Sequence, residues 1–169
     1  MSYRNKTYVA FASEDILHYR MMQAWKKNEH IDFDFFDAHD IYQARDTSKP
    51  DTIKARLTER LKNAKQVVLL GSGDAKRKGS DGNSFLAHEV EVISRLKLPV
   101  IVVNLNQERV GNLSFIPDPL LNSKHYLMAV SYQPKIIQYA MDNYAAEFSG
   151  STNQGVWIYK PEVYSRLGL

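Results

Sequence analysis

Two short runs constrain the fold of this chain more than anything else in it. Val67-Val68-Leu69-Leu70 and Val100-Ile101-Val102-Val103 are apolar at every position, with no polar alternation. A strand of that kind has to be covered on both faces, which is the situation of a parallel sheet packed between helices. Parallel neighbours cannot be joined by a tight turn, so a crossover must lie between them. Ser84 to Leu96, with its helical apolar spacing, supplies one.

The rest of the chain continues the alternation. Thr7 to Ala12 is a β-rich run, followed by Ser13-Glu14-Asp15, which suits a helix start with acids in its first turn. Leu17, Met21, Ala24 and Trp25 then recur at helical spacing. Ile31 to Phe36 alternates, Phe33 and Phe35 against Asp32 and Asp34, and reads as a second strand. A polar loop is expected over Asp37 to Lys49. Ser48-Lys49-Pro50-Asp51 opens a helix whose buried stripe is Ile53, Leu57, Leu61 and Ala64. Gly71 to Asn83, with four glycines, reads as a mobile flap, and its Lys76-Arg77-Lys78 as a solvated loop. Gln107 to Lys124 is expected to be largely irregular, His125 to Val130 a last strand, and Pro134 to Phe148 a helix with Ile137, Met141 and Tyr144 in phase. The expectation is an α/β domain over residues 1–148. A tail over residues 149–169, carrying Trp157, Tyr159 and Tyr164, is expected to dock on the domain or on a partner.

Composition narrows the function classes. The 169 residues contain no cysteine, which excludes disulfides, thiolate metal sites and a cysteine nucleophile. No apolar run reaches the ~20 residues of a membrane span, and no apolar signal core follows Met1, so a cytoplasmic location is expected. A net charge of +3 makes no case for nucleic acid. His18, His30, His39, His88 and His125 show no metal-ligand spacing, and Asp37-Ala38-His39-Asp40 reads as an exposed loop. Gly71-Ser72-Gly73-Asp74 lacks the ending of a phosphate-binding loop.

Glu89 is the residue that breaks pattern. At about 100° per residue, Phe85, Leu86, Val90, Val92, Ile93 and Leu96 fall on one side of the helix, and Ala87, His88, Glu91, Ser94 and Arg95 on the other. Glu89 projects from the apolar side. A carboxylate leaving water costs several kcal/mol unless it is paired or protonated. It is either a structural Glu that escapes to the rim or pairs, or a carboxylate held dry for chemistry. Loops at the carboxyl ends of parallel strands share one face, so Phe11, Asp15, Asp37 and Glu89 are expected to converge there.

Three segments resemble a known family. Thr7-Tyr8-Val9-Ala10-Phe11-Ala12-Ser13-Glu14-Asp15 is similar to the first box of TIR-like domains, departing at Ala10, where the family often has Ser. Phe35-Phe36-Asp37 resembles the end of the family's second strand. Asn83-Ser84-Phe85-Leu86-Ala87-His88-Glu89 resembles its third box, with Phe85 in the aromatic position and Asn83 in the polar one. The likeness runs from Lys6 to Val103 and is nearest to the bacterial TIR-like proteins of Thoeris-type antiphage systems.

The resemblance implies a flavodoxin-like three-layer sandwich with a central, mainly parallel sheet. It also implies cleavage of NAD, as substrate rather than cofactor, at the nicotinamide–ribose bond, with Glu89 catalytic. The product would be an ADP-ribose-derived signalling nucleotide read by a separate effector, and self-association on activation would be expected. Phe11 packs against a ring of the substrate or simply in the core. Asp15 and Asp37 bind substrate or serve as a first-turn acid and a turn residue; Asn83 and Phe85 complete the candidate set. Two other functions stay open: a deoxyribosyltransferase-like enzyme acting on nucleosides, and a non-catalytic self-association module. A third-box Glu separates the two enzymes from the module, which has no chemical need of it.

Overall fold

The computed structural model describes residues 6–37, 49–149 and 151–169. The core of the fold is a six-stranded sheet in the order β2-β1-β3-β4-β5-β6, parallel throughout. Its strands are β1 (Lys6–Ala10), β2 (Phe36–Asp37), β3 (Gln66–Gly71), β4 (Val100–Asn104), β5 (Tyr126–Ser131) and β6 (Gly155–Ile158). The helices are α1 (Ile16–Lys27), α2 (Pro50–Asn63), α3 (Gly73–Gly79), α4 (Phe85–Leu96), α5 (Asp118–Asn122), α6 (Pro134–Phe148) and α7 (Pro161–Arg166).

The two apolar runs become β3 and β4, buried along their whole length. Alternate residues feed two separate cores. Val67, Leu69, Val100 and Val102 meet α2, α4 and α5 on one face. Val68, Leu70, Ile101 and Val103 meet α1, α6 and α7 on the other. Each such fully buried aliphatic side chain contributes ~1.5–3 kcal/mol, so the double-sided burial of these central strands is the main source of the sheet's stability.

Four segments differ from their sequence expectations. Ile31 to Phe35 stays out of the ladder, and only Phe36–Asp37 pairs with β1. Phe33 and Phe35 are nonetheless buried at 2%, edge-to-face with each other, so the alternation serves packing without backbone pairing. In α1 the buried residues are Tyr19 and Met22, while Leu17 and Met21 are exposed. The ring of Phe11 stacks on Tyr19 and turns that side of the helix inward.

The glycine-rich segment after β3 is helical rather than a flap. Ser72 caps α3 by accepting from the Ala75 amide at 3.0 Å, and Asp74 sits in the first turn with Lys76, Arg77 and Lys78 in the last. That charge order suits the helix dipole. Because α2, α3 and α5 all pack on α4, more of α4's circumference is covered than one stripe, and Ala87 is buried at 7%.

The segment after residue 150 adds a strand. β6 pairs with β5 from Tyr126↔Gly155 to Ala129↔Ile158 and forms the sheet's edge. Behind it, Tyr164 is 1% exposed, its hydroxyl accepts from the Ser131 amide at 3.3 Å, and the Arg109 guanidinium lies 4.1 Å from its ring centroid. Among the described residues, no helix is long and apolar enough to cross a membrane, and no group of three acidic or histidine side chains could hold a metal. His39 and Asp40 lie outside the described residues, as does most of the expected polar loop.

Candidate functional site

Chain order and strand order part company between β1 and β3. From β1 the chain adds β2 on one side and β3 on the other, which makes a switch point between the two strands. Asp15 follows β1 and Ser72 follows β3, and the Ser72 hydroxyl donates to Asp15 Oδ2 at 2.5 Å across that point. Asp15 is 7% exposed; burial raises its carboxyl above the usual range, and the Ser72 hydrogen bond opposes the rise. Around it, Lys78 pairs with Glu14 at 2.9 Å and reaches the Ser13 hydroxyl at 2.8 Å. Arg77 pairs with Asp74 at 2.9 Å and Glu14 at 3.5 Å, and Lys76 with Asp118 at 2.5 Å. The basic cluster is therefore a helix end fastened to the turn after β1 and to α5.

The helix carrying Glu89 is anchored at its start. Asp81 accepts from the amides of Asn83 and Ser84 at 2.8 and 2.9 Å. Ser84 accepts from the Ala87 amide at 3.1 Å and donates to the Lys78 carbonyl at 2.7 Å. One turn on, His88 Nε2 lies 2.8 Å from the Thr58 hydroxyl and 3.0 Å from the Lys54 carbonyl, tying α4 to α2.

Glu89 directly follows the His88 anchor and points inward. It is 5% exposed on the face shared by Leu86, Val90 and Ile93, and its Oε2 has no hydrogen-bond partner among the described residues. Burial pushes its carboxyl up to about 8, while the adjacent Tyr8 hydroxyl pulls the other way. At neutral pH the group is held largely as the neutral acid, and it ionises when a positive charge or new donors reach it. The result is a buried acid with an unused oxygen, on a helix whose first turn is anchored at Ser84 and His88.

The expected convergence of Phe11, Asp37 and Glu89 at one site is not what the fold shows: these residues lie on different faces and at different levels of the sheet. Phe11 stacks on Tyr19, centroids 4.8 Å apart, and packs with the core on the opposite face of the sheet from Glu89. Asp37 pairs in backbone register with Thr7, about 10 Å along β1 from Ala10. Asn83 is exposed, and Phe85, in the first turn of α4, is 39% exposed. The side chain brought to Glu89 is that of Tyr8. Sequence reading passed over it, although its place one residue off the Thr7 and Val9 face put a phenol on the Glu89 side. Ser72 was also missed, and its signal was the Ser-Gly-Asp helix start.

Residues 8–109 match the family described as the Thoeris protein ThsB, TIR-like domain. The match covers more than half of the chain. The chain belongs to this family. The TIR-like match takes in Tyr8, Asp15, Ser72 and Glu89, and runs through β4 to Arg109. It thus spans the switch point and the whole helix that carries the buried acid. Strands β5 and β6 with helices α5, α6 and α7 lie beyond it.

Proposed function

We propose that this TIR-like chain cleaves NAD at the nicotinamide–ribose bond, with Glu89 as the catalytic carboxylate. The product is an ADP-ribose-derived signalling nucleotide that activates a separate effector in Thoeris antiphage defence. The observation that carries the reading is the Glu89 side chain: buried, one oxygen without a partner, and within the matched TIR-like span.

The chemistry suits such a group. When the C1′–N bond breaks, its electron pair leaves with nicotinamide as a neutral molecule, so no strong general acid is needed. Positive charge develops on the ribose, and a carboxylate in a dry setting stabilises it far more than one in water. The approach of that charge is also what ionises an acid held near pH 8. Water or a hydroxyl of the substrate itself then captures the ribosyl cation, losing a proton to give a linear or cyclic product. Asp15, Asn83 and Phe85 belong to this reading as substrate contacts; Phe11 and Asp37 are carried only by the family likeness, since Phe11 packs on the other face of the sheet and Asp37 pairs level with Thr7.

The test is made in infected cells, where any trigger for activity is present. Extracts from cells expressing the chain, or its Glu89→Gln variant, are resolved by mass after phage challenge. The expected result is nicotinamide and an ADP-ribose derivative with the native chain and neither with the variant. Unchanged NAD pools with the native chain would remove the NAD reading and leave a nucleoside-acting enzyme or a self-association module. Equal product from a folded Glu89→Gln variant would move the catalytic role to another residue.

A further inference from the structure

We infer that the opposite edge of the sheet carries a second binding site, for a phosphorylated aromatic small molecule of the nucleoside monophosphate class. Lys97 lies ahead of β4, Lys124 and His125 ahead of β5, and Thr152 to Gln154 ahead of β6. In a parallel sheet these positions share the amino edge, whereas Asp15 and Ser72 follow strands and share the carboxyl edge. Together they line an open cavity of about 320 Å³.

Three features of the lining define the ligand. The first is charge: Lys97 and Lys124 border the cavity, no acidic residue lines it, and neither lysine has an ion-pair partner among the described residues. Two ammonium groups beside an empty space select a multiply charged anion such as a phosphate. The second is an aromatic stack in the lining. The rings of Tyr126 and Phe148 stack with 5° between planes and 6.0 Å between centroids, and Phe148 also stacks on His125. A half-buried stack of this kind is extended by one more planar ring.

The third is an unused acceptor. His125 is 3% exposed, and its Nε2 is 2.5 Å from the Leu98 carbonyl. A carbonyl only accepts, so the proton is on Nε2 and the other ring nitrogen is an acceptor. That Nδ1 is buried without a partner. Burial holds the ring below its ordinary pKa, which keeps it neutral and keeps this lone pair available. A ligand with an N–H or O–H donor on its planar part satisfies it. Phosphate, planar ring and ring-borne donor together describe a nucleoside monophosphate. This site does not depend on the catalytic reading, because its residues lie at the other edge and outside Glu89's surroundings, apart from Lys97 at the far end of α4.

The test uses Glu89→Gln protein, so that chemistry at the carboxyl edge plays no part. AMP is titrated by calorimetry and by amide NMR. The expected result is saturable binding that moves the resonances of Tyr126, His125 and Gln154. A Lys97→Gly, Lys124→Gly double variant should weaken it at least ten-fold. Both lysines hold left-handed backbone, φ 54° and 55°, which glycine adopts freely, so the variant keeps its fold. Lys97→Gln with Lys124→Gln gives the same loss through charge alone. The inference is overturned by no saturable AMP binding, by native affinity in either double variant, by inorganic phosphate binding as tightly as AMP, or by shifts confined to the surroundings of residue 89.

Discussion

The Ser72 hydroxyl donates to the Asp15 carboxylate at 2.5 Å and accepts from the Ala75 amide at 3.0 Å. One oxygen thus ties the turn after β1 to the segment after β3 and caps the helix that follows β3. It satisfies a buried acid and an orphan helix amide together, so the turn after β1 and the start of α3 are held as a unit.

Ser72→Ala should cost about 2 kcal/mol in urea unfolding at pH 7, combining loss of a cap with loss of a hydrogen bond to a charged group. The Asp15 carboxyl should rise further, since its main opposing influence is gone. Ser72→Thr should recover most of the stability. An unchanged unfolding midpoint in Ser72→Ala would mean that α3 is held by its ion pairs alone.

Glu89 makes stability depend on pH in a defined direction. Its folded-state pKa is about 8 against the ordinary 4.5. As pH rises the unfolded chain gives up this proton first, so the folded state loses stability between about pH 4.5 and 8 and loses no more above that. The full effect is on the order of 5 kcal/mol. Glu89→Gln removes the ionisation, so the variant should be more stable than the native chain at pH 8 and nearly level with it at pH 4.5. Parallel stability curves for the two proteins would show that Glu89 ionises normally.

The same group sets the pH dependence of the proposed reaction. If the ionised form is the one that supports cleavage, kcat/KM for NAD should rise with pH, pass half its maximum near pH 8 and level off about a unit above. A profile flat from pH 6 to 9 would exclude titration of Glu89 in the free enzyme.

Two glycines in α3 should respond oppositely to alanine. A Cβ at Gly73 meets nothing within 4 Å, so Gly73→Ala should stabilise by roughly 0.5–1 kcal/mol. A Cβ at Gly79 would come 2.4 Å from Pro117 Cγ, inside contact distance of a stiff ring. Gly79→Ala should destabilise by about 1–3 kcal/mol despite the better helix propensity. Thermal unfolding of the pair is the check, and equal shifts would separate α3 from the loop that carries Pro117.

Tyr164→Ala should cost roughly 3–5 kcal/mol, as a fully buried aromatic that also accepts from the Ser131 amide and lies under Arg109. Loss of protection at Ser131 in hydrogen exchange is the local readout. A cost below 1 kcal/mol would mean that α7 contributes little to the fold.

The central strands and the buried acid were legible because each depends on a local pattern: unbroken apolar runs, and one carboxylate on an apolar arc. The missed elements depend on things a pattern does not hold. In Gly71 to Asn83 the glycines outweighed the Ser72 cap and the Asp74 to Lys78 charge order, though the latter were the better guide. β6 is four residues long and mostly exposed, so it carries no burial periodicity and exists because β5 offers it an edge. In α1, Leu17 and Met21 have helical spacing, and only the Tyr19 stack on Phe11 decides which side faces in. At the site, the Asp15–Ser72 bond joins residues 57 positions apart, and no local window contains both.

Among the described residues the sheet has no hairpin. Its shortest pairing in sequence, Val100 with Leu127, already closes a loop of about 27 residues, and Thr7 with Gln66 closes about 59. No two strands can zip together from a turn, so each pairing must wait for a crossover to fold back over it. The kinetic consequence is late assembly: helices form in microseconds, whereas the sheet as a whole should appear on the slow millisecond-to-second scale of non-local topologies. In that interval the apolar runs of β3 and β4, the source of the finished protein's stability, are the segments most exposed to misassociation.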